Sequence, residues 1–128
     1  MWACPGGELD PSLLNLTYLN YLDLSYNNFR GTTIPSFIGS PKKLRHLDLF
    51  VSFFGGTVPL HLGNLSNLNY LDLSDNNFNG TPVPSFIGSL KKLSYLDLSL
   101  SYFSGMVPPQ LGNLSHLLHL DLITCSIP

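Results

Sequence analysis

Leu22 and Leu24 bracket Asp23 and are flanked by Tyr21 and Ser25, so apolar and polar residues alternate. A period of two predicts a short β-strand with its leucine face buried and its other face outward. The Leu-Asp-Leu string returns at Leu47-Asp48-Leu49, Leu71-Asp72-Leu73, Leu96-Asp97-Leu98 and Leu120-Asp121-Leu122, at steps of 25, 24, 25 and 24 residues. So regular a recurrence predicts one strand per structural repeat, with successive strands stacked in register.

The residues between the strands fall into columns, each with a physical reason. Three residues beyond the second leucine stand Asn27, Ser52, Asn76, Ser101 and Cys125. Small polar side chains turned inward there satisfy buried amides and carbonyls of neighbouring coils, and Cys125 reads as a small member of that column. Phe29, Phe54, Phe78 and Phe103 follow and are expected to stack as an aromatic spine in the core. Gly31, Gly56, Gly80 and Gly105 let the chain turn, and Pro35, Pro59, Pro84 and Pro108 fix an extended segment. Ile38, Leu62, Ile87 and Leu111 supply a further buried layer. Gly31-Thr32-Thr33-Ile34 and Gly80-Thr81-Pro82-Val83 carry one residue more than Gly56-Thr57-Val58 and Gly105-Met106-Val107. The extra residue falls in a loop, where insertions cost little, and the true unit is a pair of repeats.

A period near 24 residues lies in the leucine-rich-repeat range. The expected fold is an α/β right-handed leucine-rich-repeat solenoid, with short parallel strands on the concave face and extended or 3-10 segments on the convex face. Residues 1–6 read as a residual cap or leader, and residues 7–128 as repeats: a partial one over 7–15, then 16–40, 41–64, 65–89 and 90–113, and a partial one over 114–128.

The segments Gly31-Thr32-Thr33-Ile34-Pro35-Ser36-Phe37-Ile38-Gly39 and Val58-Pro59-Leu60-His61-Leu62-Gly63-Asn64-Leu65 resemble the plant-specific repeat with its Gly-x-Ile-Pro segment. Pro11-Ser12-Leu13-Leu14-Asn15-Leu16, running into Leu19-Asn20-Tyr21-Leu22-Asp23-Leu24-Ser25-Tyr26-Asn27-Asn28-Phe29, is similar to the N-terminal repeats of plant receptor-like proteins of the fungal-elicitor (xylanase) receptor type. The resemblance implies a piece of a cell-surface immune receptor ectodomain, extracellular or associated with the plasma membrane. It implies a protein or glycan ligand such as a microbial elicitor, and a partner receptor kinase. Two alternatives share the repeat type: a secreted inhibitor of microbial pectin-degrading enzymes, and a truncated, non-functional fragment whose open ends expose core.

Composition excludes several classes. Six Lys and Arg against eight Asp and Glu give a net charge of −2 and no basic face for nucleic acid. No run reaches the ~18 apolar residues of a membrane span, and the first seven residues lack the charged and apolar regions of a secretory signal. No cofactor and no catalysis are expected. His46 lies beside Asp48 with serines near, but an open repeat face does not hold a nucleophile against its base.

The chemistry that remains is on the strand face. Outward positions form a column of Tyr21, His46, Tyr70, Tyr95 and His119 beside one of Asp23, Asp48, Asp72, Asp97 and Asp121. Ser25, Phe50, Ser74, Ser99 and Ile123 come next, then Tyr26, Val51, Asp75, Leu100 and Thr124. Tyr combines apolar area with a hydrogen-bonding tip, which suits a docking surface, and Phe50 with Val51 adds an apolar spot. Equally, Tyr and Asp are what strand propensity and solubility would place there. No metal site is expected: evenly spaced single carboxylates do not converge into a calcium cage, and His46 and His119 stand three rungs, ~15 Å, apart. The Asp column is expected to be solvated, and His61 and His116 to face water on the convex side.

Asn15-Leu16-Thr17, Asn64-Leu65-Ser66, Asn79-Gly80-Thr81 and Asn113-Leu114-Ser115 are glycosylation acceptors in a secreted chain, with Asn79 weakened by Pro82. Cys4 and Cys125 lie five coils apart, ~20 Å, beyond the ~7 Å reach of a disulfide.

Overall fold

The computed structural model describes residues 8–123, so Cys4, Thr124 and Cys125 lie outside the described residues. Five strands form one parallel sheet in chain order: β1 (Tyr21–Asp23), β2 (His46–Asp48), β3 (Tyr70–Asp72), β4 (Tyr95–Asp97) and β5 (His119–Asp121). The register pairs Tyr21 with His46, Tyr70, Tyr95 and His119 in turn, and Asp23 with each later aspartate. The solenoid predicted from the leucine period is therefore present strand for strand.

Each strand is only three residues long, and the aspartate explains why. Its Oδ1 accepts the N–H two residues on: Ser25 at 2.9 Å, Phe50 at 3.0 Å, Ser74 at 2.8 Å, Ser99 at 3.0 Å and Ile123 at 3.0 Å. This local bond bends the chain off the strand direction. The next residue has a left-handed backbone at Tyr26, Val51, Asp75 and Leu100, with φ between 50° and 59°. Those four thus lie on a turn beyond the strand rather than on its outward face, which corrects the outermost column expected from the alternation.

Short 3-10 turns return the chain on the other side, at Pro11–Asn15, Ser36–Gly39, Leu60–Asn64, Ser85–Ser89 and Pro109–Asn113. Pro35, Pro59, Pro84 and Pro108 stand immediately before four of them with extended backbones, φ −67° or −68°. Proline suits this place because it fixes φ and the first N–H of a helical turn has no partner anyway. Among the described residues, no helix is long and apolar enough to cross a membrane.

The leucine, isoleucine and phenylalanine columns make one continuous core. The polar column lies inside it as expected. Asn76 Nδ2 donates to the carbonyls of Leu49, Leu73 and Ser74 at 2.7, 3.1 and 3.0 Å, while its Oδ1 accepts from Ser52 N and Phe54 N at 3.3 and 3.0 Å. Ser52 Oγ donates to Leu24 O at 2.7 Å, and Ser101 Oγ to Leu73 O. Among the described residues no buried side-chain nitrogen or oxygen is left without a partner.

The aromatic spine differs from expectation. Phe29 stacks on Phe54 at 4.4 Å and Phe78 on Phe103 at 5.1 Å, so the column forms two pairs. The pairing follows the 25/24 alternation, because the loop beside each phenylalanine differs between longer and shorter coils. In the shorter coils Phe53 and Tyr102 take a left-handed backbone (φ 57° and 63°), whereas their counterparts Asn28 and Asn77 do not.

Candidate functional site

The outward face of the sheet carries an unbroken ladder of five rings. Centroids are 4.1 Å apart from Tyr21 to His46, 3.9 Å to Tyr70, 4.2 Å to Tyr95 and 4.3 Å to His119, with planes within 13° of parallel. The parallel register delivers equivalent side chains one strand apart, which brings the rings into near-parallel contact. Each inner ring has both faces covered by its neighbours. Only ring edges, phenol hydroxyls and imidazole nitrogens remain for a partner.

The aspartates stand beside the ladder, and the column is not uniformly solvated. Asp23 is exposed, Asp48 and Asp97 are half-buried, and Asp72 retains only 6% of its surface. This corrects the expectation of a water-exposed column; flanking strands and the ring ladder take water away from its centre. Burial raises the Asp72 carboxyl to about 6, against the lowering effect of its two bonds from Ser74, with Asp97 and Asp48 raising it further. Asp48 is also raised, chiefly by burial. Burial lowers His46 below the ordinary histidine value, although Asp48 and Asp23 pull the other way. Tyr70 and Tyr95 are raised by burial and then by nearby carboxylates, so both keep their hydroxyl protons. The face therefore offers hydroxyl donors beside carboxylate acceptors.

Phe50 and Val51 are half-buried at the edge of this face, and Phe50 meets the Tyr26 ring edge-on at 5.3 Å. Val51 carries a β-branched side chain at φ 50°, a strained combination that the sequence alternation did not reveal. His61 and His116 are exposed, as expected. Asn15, Asn64 and Asn113 are exposed and each closes a 3-10 turn. Asn79 is exposed too, but the hydroxyl of its Thr81 is engaged with Phe78 O at 2.7 Å.

One convergence was not legible in the strand pattern. Side-chain donor atoms of Asp97, His119 and Asp121 all lie within 4.8 Å of one another. His119 and Asp121 are two apart in sequence, but Asp97 arrives from the neighbouring strand.

Comparison with known proteins bears on what such a face does. The chain is 59% identical over 54 residues to Receptor-like protein EIX1 of Solanum lycopersicum, a match covering 42% of this chain and 5% of that protein. It is 48% identical over 66 residues to Receptor-like protein EIX2 of the same plant, covering 44% of this chain and 6% of that protein. The chain thus spans only a small part of these relatives. The ectodomain of the Arabidopsis receptor kinase HAESA, solved with a peptide hormone, superposes with a TM-score of 0.82 at 38% identity, covering 94% of this chain and 20% of that one. The two tomato relatives are receptor-like proteins, and the matched part of HAESA is its leucine-rich-repeat ectodomain, solved holding a ligand. The Leucine Rich Repeat family model matches residues 18–40, 67–90 and 92–114, more than half of the chain, and the chain belongs to that family.

Proposed function

We propose that this chain is a recognition module of a plant cell-surface immune receptor, binding a protein ligand through the ring and carboxylate columns of its concave face. The observation that carries this reading is the five-ring ladder from Tyr21 to His119. Sugars commonly pack flat on an exposed aromatic face, and the inner rings have none to offer. Hydroxyl edges beside carboxylates suit the amides, hydroxyls and cationic side chains of a polypeptide. The solved relatives include two receptors holding peptide hormones, HAESA and RGFR1, and HAESA has also been solved with the co-receptor SERK1. A receptor kinase partner is proposed here by the same analogy.

An extracellular site agrees with the sequons. Asn15, Asn64 and Asn113 recur 49 residues apart, one repeat pair, and the intervening coils carry Ser40 and Ser89 instead. Two coils give ~10 Å between attachment points, room that adjacent coils at ~4.8 Å would lack. Glycans there would line the side opposite the ladder and leave the concave face open.

The test uses the whole chain, secreted from a plant host, with purified fungal xylanase and xylan oligosaccharides as probes. Retention of the xylanase that falls at least tenfold in Tyr70→Ala and Asp72→Lys, but not in His116→Ala, supports the reading. Retention lost only in convex-side variants, retention of the oligosaccharides alone, or no retention of either probe would sink it.

A further inference from the structure

The ladder contains two imidazoles in unlike surroundings. His46 is sandwiched between Tyr21 and Tyr70, at 4.1 and 3.9 Å. His119 is exposed and stacks on Tyr95 at 4.3 Å. Only around His119, among the described residues, do three metal-ligating side chains converge: one imidazole nitrogen and one carboxylate oxygen each from Asp97 and Asp121, all within 4.8 Å.

The three groups are held from outside the cluster. Ser99 donates to Asp97 Oδ1 through its N–H at 3.0 Å and its Oγ at 2.6 Å. Asp121 Oδ1 accepts from Ile123 N at 3.0 Å. Tyr95 supports the imidazole ring with planes 6° apart, and the backbone N–H of His119 donates to Ser94 O at 3.0 Å, fixing the strand that carries the ring. These bonds use Oδ1 of each carboxylate; Asp97 Oδ2 accepts one long bond from the Tyr95 hydroxyl, at 3.5 Å, which a cation would displace. Among the described residues neither carboxylate is ion-paired.

We propose that Asp97, His119 and Asp121 bind a first-row divalent cation, with zinc as the best match. Three atoms at most 4.8 Å apart always share a point within about 2.8 Å of each, whereas zinc sits ~2.0–2.2 Å from nitrogen and oxygen ligands. Each side chain must therefore close by less than ~1 Å, a small torsional change for an exposed imidazole and two short carboxylates. Calcium and magnesium favour all-oxygen shells of six or more ligands, so an imidazole donor selects the transition series. A dication between Asp97 and Asp121 also removes the repulsion of two like charges on adjacent strands. Three protein donors leave a coordination position open on the solvent side, for water or for a side chain of a docked partner. The site stands whether or not the ring ladder is the ligand surface.

The test is a zinc titration by calorimetry of the whole chain, in a Cys4→Ser/Cys125→Ser background so that no thiol competes. The expected result is one saturable site. His119→Ala and Asp97→Asn each weaken it at least tenfold, and His116→Ala, at an exposed position outside the ladder, leaves it unchanged. Backbone circular dichroism of each variant establishes that it is folded, and His119→Gln, a change at an exposed position, provides a second removal of the nitrogen donor. Zinc binding that survives both His119 variants, or heat that never saturates, would overturn the assignment.

Discussion

Two kinds of junction join the coils, and they are held by different forces. Within a pair, residues 16–40 meet 41–64, and 65–89 meet 90–113. There Phe29 stacks on Phe54 and Phe78 on Phe103. Gly39 and Gly88 pack so closely on the next coil that a Cβ at either would collide with the backbone carbonyl of His61 or Gln110. Between pairs, where 41–64 meets 65–89, Gly63 faces the edge of the Phe86 ring, the nearest atom being 3.3 Å from a Cβ built there. That junction is tied by the Asn76 amide, which reaches Leu49 O, Ser52 N and Phe54 N across it. Within a pair, close backbone packing is joined by a serine hydroxyl bond, whereas between pairs the packing is looser and the asparagine amide makes three bonds. A repeat protein with equal-looking leucines need not have equal interfaces.

The sharpest way to break the contrast is to add one methyl group on each side of it. Gly39→Ala or Gly88→Ala should cost about 3 kcal/mol, because the obstacle is backbone and cannot swing aside. Gly63→Ala should cost under ~1 kcal/mol, since a phenylalanine ring can yield by a few tenths of an ångström. Urea unfolding compares the three directly; equal losses would erase the distinction between junctions.

The between-pair clamp is next. Asn76→Ala removes five hydrogen bonds and strands buried carbonyls and amides, for an expected loss of about 2–3 kcal/mol. Ser52→Ala, within a pair, removes one side-chain bond to Leu24 O and should cost about 1 kcal/mol. A Ser52 loss as large as that of Asn76 would show that the two junctions lean equally on polar ties.

Asp72, in the coil over 65–89, lies between the two kinds of junction and brings a pH dependence. Its carboxyl is about 6 in the folded chain, above the value of an unfolded aspartate, so the folded state holds a proton that the unfolded state has lost. Stability should therefore fall as pH rises from about 4 to about 6, by up to ~1.4 kcal/mol per unit, and then level off. Asp72→Asn keeps an acceptor for Ser74 and should flatten that slope, stabilising the chain at neutral pH while changing little at pH near ~4. Thermal melts across that range read the difference, and an unchanged slope would locate the proton elsewhere.

The smallest effect expected is a gain. Val51 holds a left-handed backbone where the coil over 65–89 has Asp75, and Val51→Asn should stabilise by about 1 kcal/mol. A shift of the melting midpoint upward checks it.

The Leu-Asp-Leu period made the strands, their register and the ring and aspartate columns legible, because a two-residue alternation leaves a buried strand one choice of face; it failed at Tyr26, Val51, Asp75 and Leu100, where the chain has already turned. The inward Asn and Ser column was equally readable, since buried backbone groups require partners. What the sequence hid depends on distances between coils. Ile38-Gly39 and Leu62-Gly63 look alike as letters, yet only Gly39 lies against a carbonyl. Phe54 looks equidistant from Phe29 and Phe78, and the choice between them is made by loop backbone at Phe53. Asp72 carries no sign of burial that Asp23 lacks, because its desolvation comes from strands on both sides. The approach of Asp97 to His119 likewise exists only across a rung.

The alternation of Asn27, Ser52, Asn76 and Ser101 bears on how such a chain lengthens over evolutionary time. Duplicating one coil would set two asparagine coils or two serine coils side by side, with the wrong loop against each phenylalanine. Duplicating 49 residues copies both junctions intact, together with one acceptor asparagine on the convex side. Inheritance of this surface should therefore run in double steps, each adding two rungs to the ring ladder at once.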